Sequence, residues 1–188
     1  WLAEYCRLYP AVSLDLILDN RKIDLVAEGV DLALRVSSVD LPPTLIVRPL
    51  SEIAFYLIGE TEYLQRHGTP ATPQEILTHN FVQASYVDME HIKISRDGEH
   101  FNLAPNSTIR ADNTPMVREM VLAGGGLGYL PAWTVKRDLD SGRLVRLLPE
   151  WRIPSATLYA AYADRAFLSA KIRSFIDFLV EKIKQEAV

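Results

Sequence analysis

The sequence predicts an α/β fold. Three observations carry that prediction. Short β-rich stretches alternate with amphipathic helices along nearly the whole chain, two helices open on capping residues directly behind strands, and no segment repeats or falls into low complexity. The 188 residues are 48% hydrophobic and 23% charged, an ordinary globular composition with enough chain to bury a core. The length suits one large domain or two small ones. The alternation itself predicts largely parallel sheets.

Taken in order, Trp1, Leu2, Tyr5 and Leu8 form a helical stripe that Pro10 ends. Val12, Leu14, Leu16 and Leu18 alternate with Ser13, Asp15 and Ile17, which predicts a strand with one buried face. Asp19 and Asn20 are N-cap residues for a short helix carrying Ile23, Val26 and Ala27 inward until Gly29. Asp31 to Val36 is a second strand. Leu45 to Gly59 is a long β-rich stretch, and Pro49 in its middle predicts a change of partner there.

Thr61 to Arg66 is helical with Gly68 as the stop, and Thr72-Pro73-Gln74-Glu75 is a capping box with proline at the first helical position. Phe81 to Ser85 is a short strand. Ile92 and Ile94, then Arg96-Asp97-Gly98, then Phe101 and Leu103 predict a hairpin. The strand Ser107 to Ala111 runs into Asp112-Asn113-Thr114-Pro115, which opens a helix through Ala123. Gly124, Gly125 and Gly126 break it, Leu127 to Leu130 is a strand closed by Pro131, and a helix continues to Leu139. Ala156 to Ala163 is a strand, and Ile172, Phe175, Ile176, Leu179 and Ile183 stripe a long closing helix. No flexible linker lies between Pro43 and Pro149, so two lobes would be joined by strand crossovers and not by a tether.

Composition excludes several functions. One cysteine, Cys6, forbids an intrachain disulfide. The net charge of −4 and the lack of a basic block argue against DNA binding by this stretch itself. Met120 to Val135, the longest weakly polar run, is broken by four glycines and Pro131, too short for a bilayer. The chain opens at Trp1 within a helical stripe, which predicts a fragment of something longer.

Ala123 to Gly128 resembles a phosphate loop in composition but not in order. Its glycines follow a helix and open a strand, whereas phosphate-binding glycines follow a strand and open a helix. A helix cap with a tight turn is the better reading. His67, His79, His91 and His100 lack metal-ligand spacing, and no G-x-S-x-G elbow or H-E-x-x-H occurs. No cofactor or metal is expected. The helix starts at Asp19-Asn20-Arg21 and Asn113-Thr114-Pro115 are the remaining candidates, because ligands of open α/β sheets bind beyond the carboxyl ends of strands.

Ordered along the chain are Tyr9-Pro10-x-Val12; Lys22 to Val36 (KIDLVAEGVDLALRV); Arg48-Pro49-Leu50; and Glu62-Tyr63-Leu64 with His67-Gly68-x-Pro70. There follow Leu77-x-His79-Asn80, Asp112-Asn113, Leu122 to Pro131 (LAGGGLGYLP), Gly142 to Val145 and Arg173 to Leu179. In these residues the chain resembles the effector-binding domain of LysR-type transcriptional regulators over essentially its whole length. The resemblance implies two Rossmann-like α/β lobes joined by two crossover strands, as in type II periplasmic binding proteins. Lobe I would hold residues 1–53 and 158–188, and lobe II residues 54–157. The family's first strand, ahead of the first helix, and its winged helix-turn-helix are expected to be absent from this chain.

By the same resemblance a small effector sits in the inter-lobe cleft, and the two facing helix starts suit an anionic one. It would be lined by Asp19, Asn20, Arg21, Arg35, Ser37, Ser38, Ala84, Ser85, Tyr86, Asn113, Thr114 and Pro115. Ser37 stands where many relatives have glycine, and His91-Ile92 where close relatives often carry tryptophan. A cytoplasmic homodimer or homotetramer without catalytic residues is implied, touching DNA only through the absent N-terminal domain and no membrane. An exported solute-binding protein and an enzyme acting on a small acid are the alternatives on the same fold.

Overall fold

The computed structural model describes residues 1–19, 21, 24–37, 45–163 and 169–186. In chain order the elements are α1 (Leu2–Leu8), β1 (Ala33–Ser37), β2 (Ile46–Ile53), β3 (Phe55–Glu60), α2 (Thr61–His67), α3 (Pro73–Ile76) and β4 (Phe81–Ala84). A 3-10 turn, Met89–His91, leads to β5 (Ile92–Arg96), β6 (Glu99–Leu103), β7 (Ser107–Ala111) and α4 (Thr114–Leu122). The chain closes with β8 (Leu127–Pro131), α5 (Ala132–Asp140), β9 (Leu144–Leu147), β10 (Ala156–Tyr162) and α6 (Ala170–Glu186). It divides into two compact units. Unit 1 is Trp1–Glu52 with Ala156–Val188, and unit 2 is Ile53–Ser155.

Unit 1 is built on a three-stranded sheet in the order β1-β10-β2. β1 pairs antiparallel with β10, Ala33 opposite Ala161 and Ser37 opposite Thr157. Among the described residues β2 is an edge strand, which is why Pro49, lacking an N–H, is tolerated inside it. The strand therefore does not change partner at Pro49. The break comes at Ala54, after which β3 joins another sheet. Tyr5 of α1 is fully buried with Phe178 and Leu179 of α6. Its ring meets Phe175 edge-on at 4.9 Å, and its hydroxyl lies 2.8 Å from Ser174 Oγ.

Two expectations in unit 1 fail. Val12 to Leu18 belongs to no sheet. Its alternation does turn Val12 and Leu14 toward the Tyr5 cluster, but a strand needs a partner for its N–H and C=O groups. The expected helix behind Asp19 is instead a turn over residues 25–29. Asp24 organises it, its Oδ1 accepting from Val26 N (2.9 Å) and Ala27 N (3.2 Å). Leu25 is the side chain that goes inward, whereas Val26 is 72% exposed. Gly29 ends the turn at φ +65°. Asn20, Lys22 and Ile23 lie outside the described residues.

Unit 2 holds a five-stranded sheet in the order β7-β4-β8-β3-β9. β4 is parallel to both β7 and β8, while β3 is antiparallel to β8 and β9. Four strands thus share one direction and β3 alone is reversed. The expectation of largely parallel sheets needs that correction: the reversed strand is inserted between β8 and β9, so two of the four pairings are antiparallel. β9 is a strand that the sequence pattern does not announce. Asp97 (φ 50°) and Gly98 (φ 85°) make the expected tight hairpin between β5 and β6. That hairpin is tied to the unit by Ser95 and Arg152, whose N–H groups each donate to the other's carbonyl, at 3.0 and 2.7 Å.

One face of the sheet packs Leu57, Phe81, Leu127 and Leu147 against Tyr63 and Ile76, and the other packs Ile58, Val82 and Leu130 against Val117, Val121 and Val135. The helix ends are satisfied locally. Glu60 caps α2 by accepting from Glu62 N (2.9 Å) and Tyr63 N (2.7 Å), and Thr72 caps α3 as its capping box predicts.

α4 and α5 are locked together by Asp138, which is 1% exposed. Its Oδ2 accepts from Arg118 Nε at 2.7 Å, and its Oδ1 bonds the Arg143 guanidinium. Only the carboxylate is buried, since the Arg118 and Arg143 side chains are 24% and 61% exposed and can turn to solvent. Asp138→Ala should therefore cost about 2 kcal/mol of unfolding free energy through its lost charge-assisted hydrogen bonds, measured by urea denaturation, with a normal transition slope.

A second cluster surrounds the buried Tyr63. His67 stacks on its ring at 4.3 Å, and His79 Nδ1 lies 3.2 Å from its hydroxyl. Burial first, and His67 second, hold His79 below its ordinary value, opposed by Glu75. The unfolded chain then binds more protons at mild acidity than the folded one. Stability should be greatest above about pH 6.5 and fall as pH drops through the folded-state value. A melting-temperature profile from pH 8 to 5 should show this loss, and His79→Gln should flatten it.

Candidate functional site

The parallel strands β4, β7 and β8 end together. Ala84 lies opposite Ala111 across β4 and β7, and Val82 lies opposite Gly128 across β4 and β8. The register is set at the far end. Leu127 N donates to Asn80 O at 2.9 Å, and Gly126 lies so close that a Cβ there would stand 2.4 Å from that carbonyl oxygen. Gly126 also holds φ at +142°. The glycine run is thus the helix cap and tight turn that its order predicts, with Gly124 at φ +77°.

The loop behind β4 is pinned. Ser85 N donates to Ala111 O at 2.8 Å. Gln83, buried in β4, donates from Nε2 to Val87 O (2.8 Å) and accepts from Ser107 Oγ (2.7 Å). Both polar ends of this buried amide are therefore satisfied, which fixes the loop carrying Tyr86. The Tyr86 and Thr114 hydroxyls form a short hydrogen bond. Asn113 caps α4 as expected: its Oδ1 accepts from Met116 N at 2.8 Å, and its Nδ2 donates to Asp112 Oδ1 at 3.2 Å. Thr114 and Pro115 fill the first helical positions. Ala84, Ser85, Tyr86, Asn113, Thr114 and Pro115 are thus brought to one edge of unit 2.

Within unit 1, Asp19 holds Arg21 by two routes. It accepts from the Arg21 backbone N–H at 2.8 Å and from its guanidinium at 2.6 to 3.2 Å. Those bonds keep the Asp19 carboxyl below its ordinary range and raise Arg21. Arg35 of β1 donates to Arg21 O at 2.9 Å. Asp19, Arg21 and Arg35 are therefore gathered, but at a turn and not at a helix start. The expectation of free helical N–H groups there is corrected: the Asp19 side chain is spent on Arg21. Ser37 ends β1. Asn20 and Ser38 lie outside the described residues.

Two features escape the sequence reading. The Asp138 group joins residues 20 and 5 positions apart, and no local pattern marks it. Trp133, in the first turn of α5, is exposed beyond the end of β8; its place two residues past the strand-closing Pro131 is a signal that could have found it. Among the described residues no group of three metal-ligating side chains is gathered, and no described helix is long and apolar enough to cross a membrane.

The family model of the LysR substrate binding domain matches residues 1–184. The chain is 32% identical over 180 residues to the probable HTH-type transcriptional regulator LtrA of Klebsiella pneumoniae, covering 93% of this chain and 58% of that protein. It is 28% identical over 186 residues to the HTH-type transcriptional activator TtdR of Escherichia coli, covering 98% and 59%. The regulatory domain of CrgA, a LysR-type transcriptional regulator from Neisseria meningitidis, superimposes with a TM-score of 0.83 at 26% identity over 96% of this chain and 89% of that one. Full-length AphB of Vibrio cholerae, at 23% identity, shares the fold with a TM-score of 0.82 over 96% and 62%. The chain spans about three-fifths of the length of the curated relatives it matches.

Replacing Asn113 by Ala removes the acceptor for Met116 N. Unfolding free energy should fall by about 1 kcal/mol, and Asn113→Asp should restore most of it in the same denaturation assay.

Proposed function

Because the chain belongs to the LysR substrate-binding-domain family, we propose that it is the effector-sensing part of a transcriptional regulator. It binds a small anionic metabolite and relays that event to DNA binding by another part of the full-length protein. The observation that carries this reading is the edge of unit 2 where the capped start of α4 meets the Tyr86 and Thr114 hydroxyls. Hydroxyls gathered at the positive end of a helix suit a carboxylate. The proposed contacts are Ala84, Ser85, Tyr86, Asn113, Thr114 and Pro115 in unit 2, and Asp19, Asn20, Arg21, Arg35, Ser37 and Ser38 in unit 1. No residue is assigned a catalytic role, and the relatives LtrA and TtdR are named as regulators. We place the full-length protein in the cytoplasm as a homodimer or homotetramer.

The physical logic is population shift. An effector that binds one conformation better than another biases the equilibrium by its differential affinity, and no more. An enzyme reading would require an acid–base pair aimed at substrate, and no such pair is gathered at this edge of unit 2 among the described residues. An exported binding protein would share the fold, but LtrA and TtdR are transcriptional regulators by name.

A thermal-shift screen of small carboxylates tests the proposal. A ligand of the native state stabilises by about 2.7 kcal/mol at a hundred times its Kd, a readily measured shift. A selective acid should raise the melting temperature, and Asn113→Ala should shrink that shift relative to the variant's own ligand-free value. Binding of neutral or cationic compounds only, or turnover of a tested acid, would overturn the proposal.

A further inference from the structure

The chain enters β4 through residues 77–80, and two contacts hold that entry. Asn80 O accepts from Leu127 N at 2.9 Å, with Gly126 packed close against the same carbonyl. One residue earlier the His79 ring meets α2. Its Nδ1 lies 3.2 Å from the Tyr63 hydroxyl, and the two rings are tilted at 5.8 Å. Tyr63 is 2% exposed, so its O–H needs an acceptor inside the protein. Neutral imidazole supplies one at the ring nitrogen that carries no proton. The Asn80 backbone lies against the same hydroxyl and favours its ionised form, which places the Asn80 N–H on the oxygen side. His79 Nδ1 is thus the acceptor for the Tyr63 proton. The two residues tie α2 to the loop that carries Asn80.

An imidazolium carries N–H at both ring nitrogens and accepts nothing. Once protonated, His79 would aim a second N–H at the Tyr63 oxygen and strand the Tyr63 proton in the core, which is costly. His79 is only half-buried, so its ring has a way out to water. The titratable and charged groups around it are Tyr63 and His67 of α2 and Glu75 of α3. His67 opposes a charge on His79 and Glu75 favours one. His67 is itself tied to α2, stacked on the Tyr63 ring at 4.3 Å with its Nδ1 2.9 Å from Tyr63 O. The Arg66 guanidinium reaches the glycine turn, 3.3 Å from where a Gly124 Cβ would stand. We propose that Tyr63 and His79 form a proton-released latch on the entry to β4. Proton uptake by His79 breaks its bond to the Tyr63 hydroxyl, and residues 77–80 loosen together with the Asn80–Leu127 contact while the rest of the sheet stays closed. The latch is internal to unit 2 and stands apart from the effector reading. The latched form binds fewer protons at mild acidity than the released form, so the latch is complete above the ordinary histidine value and lost below it.

Amide hydrogen exchange of the chain, read by NMR between about pH 7.5 and 5 and expressed as protection over the unstructured rate, tests the latch. Leu127 N–H reports the anchor. The amides of β3, which lies between β8 and β9, report the sheet. Leu127 protection should be level above about pH 6.5 and fall by up to about tenfold per pH unit below it, the limit that one proton sets. The β3 amides should keep their protection over the same range. In His79→Gln the amide oxygen still accepts from Tyr63 and does not titrate, so Leu127 should stay protected throughout. Tyr63→Phe keeps the ring in the core and removes the hydroxyl, so Leu127 should be weakly protected at every pH. If Leu127 and β3 lose protection in step, acid acts by global unfolding and the latch is overturned. A level Leu127 profile in the parent, or the parent's profile in either variant, overturns it as well.

Discussion

The close approach of Gly126 to Asn80 decides what the far edge of unit 2 looks like. A single hydrogen bond from Leu127 to Asn80, with no room for a Cβ beside it, sets β8 against β4 in one register. Side chains alternate across a sheet, so a slip by one residue would exchange the two packed faces of β8, moving Leu127 to the side of Val117 and Val121 and Leu130 to the side of Tyr63 and Ile76. Leu127 and Leu130 would lose their places. The candidate site is therefore assembled by a contact at the opposite end of the strands. The glycine run, which superficially resembles a phosphate loop, acts as a packing device there.

Legibility varies with the kind of signal. Helix starts can be read from sequence because a cap is a local event: Asn113, Thr72 and the proline behind each act within three residues. The hairpin at Asp97-Gly98 is readable for the same reason. Partner choice is not. Val12 to Leu18 has a sound alternating pattern and still joins no sheet, because alternation describes a face and not a neighbour. The reversed direction of β3 and the short strand β9 likewise depend on contacts from distant sequence. Family resemblance carries the architecture further than residue patterns do.

The site residues divide along the same line. Asn113 and Thr114 stand where capping logic puts them. Asp19 and Arg21 do not, because a carboxylate two residues from a guanidinium closes on it before it can serve a helix. That pairing takes the charge of Asp19 out of play and leaves the Arg21 side chain 82% exposed. Burial of paired charge elsewhere follows a different rule. Asp138 is enclosed, while its partners Arg118 and Arg143 are 24% and 61% exposed, so it is the carboxylate that depends on the pairing.

Unit 1 is assembled from both sides of unit 2 in the sequence, and its central strand is β10. During synthesis from the amino terminus, β1 and β2 emerge more than a hundred residues before the strand that must lie between them. Unit 2, being contiguous, can close first. Until β10 arrives, two strand edges of unit 1 stand unpaired, and long-range pairings of this kind are slow and exposed to misassembly. The ribosome thus imposes an order on the molecule, with the contiguous unit folding first and the divided unit completed only when its middle strand is delivered.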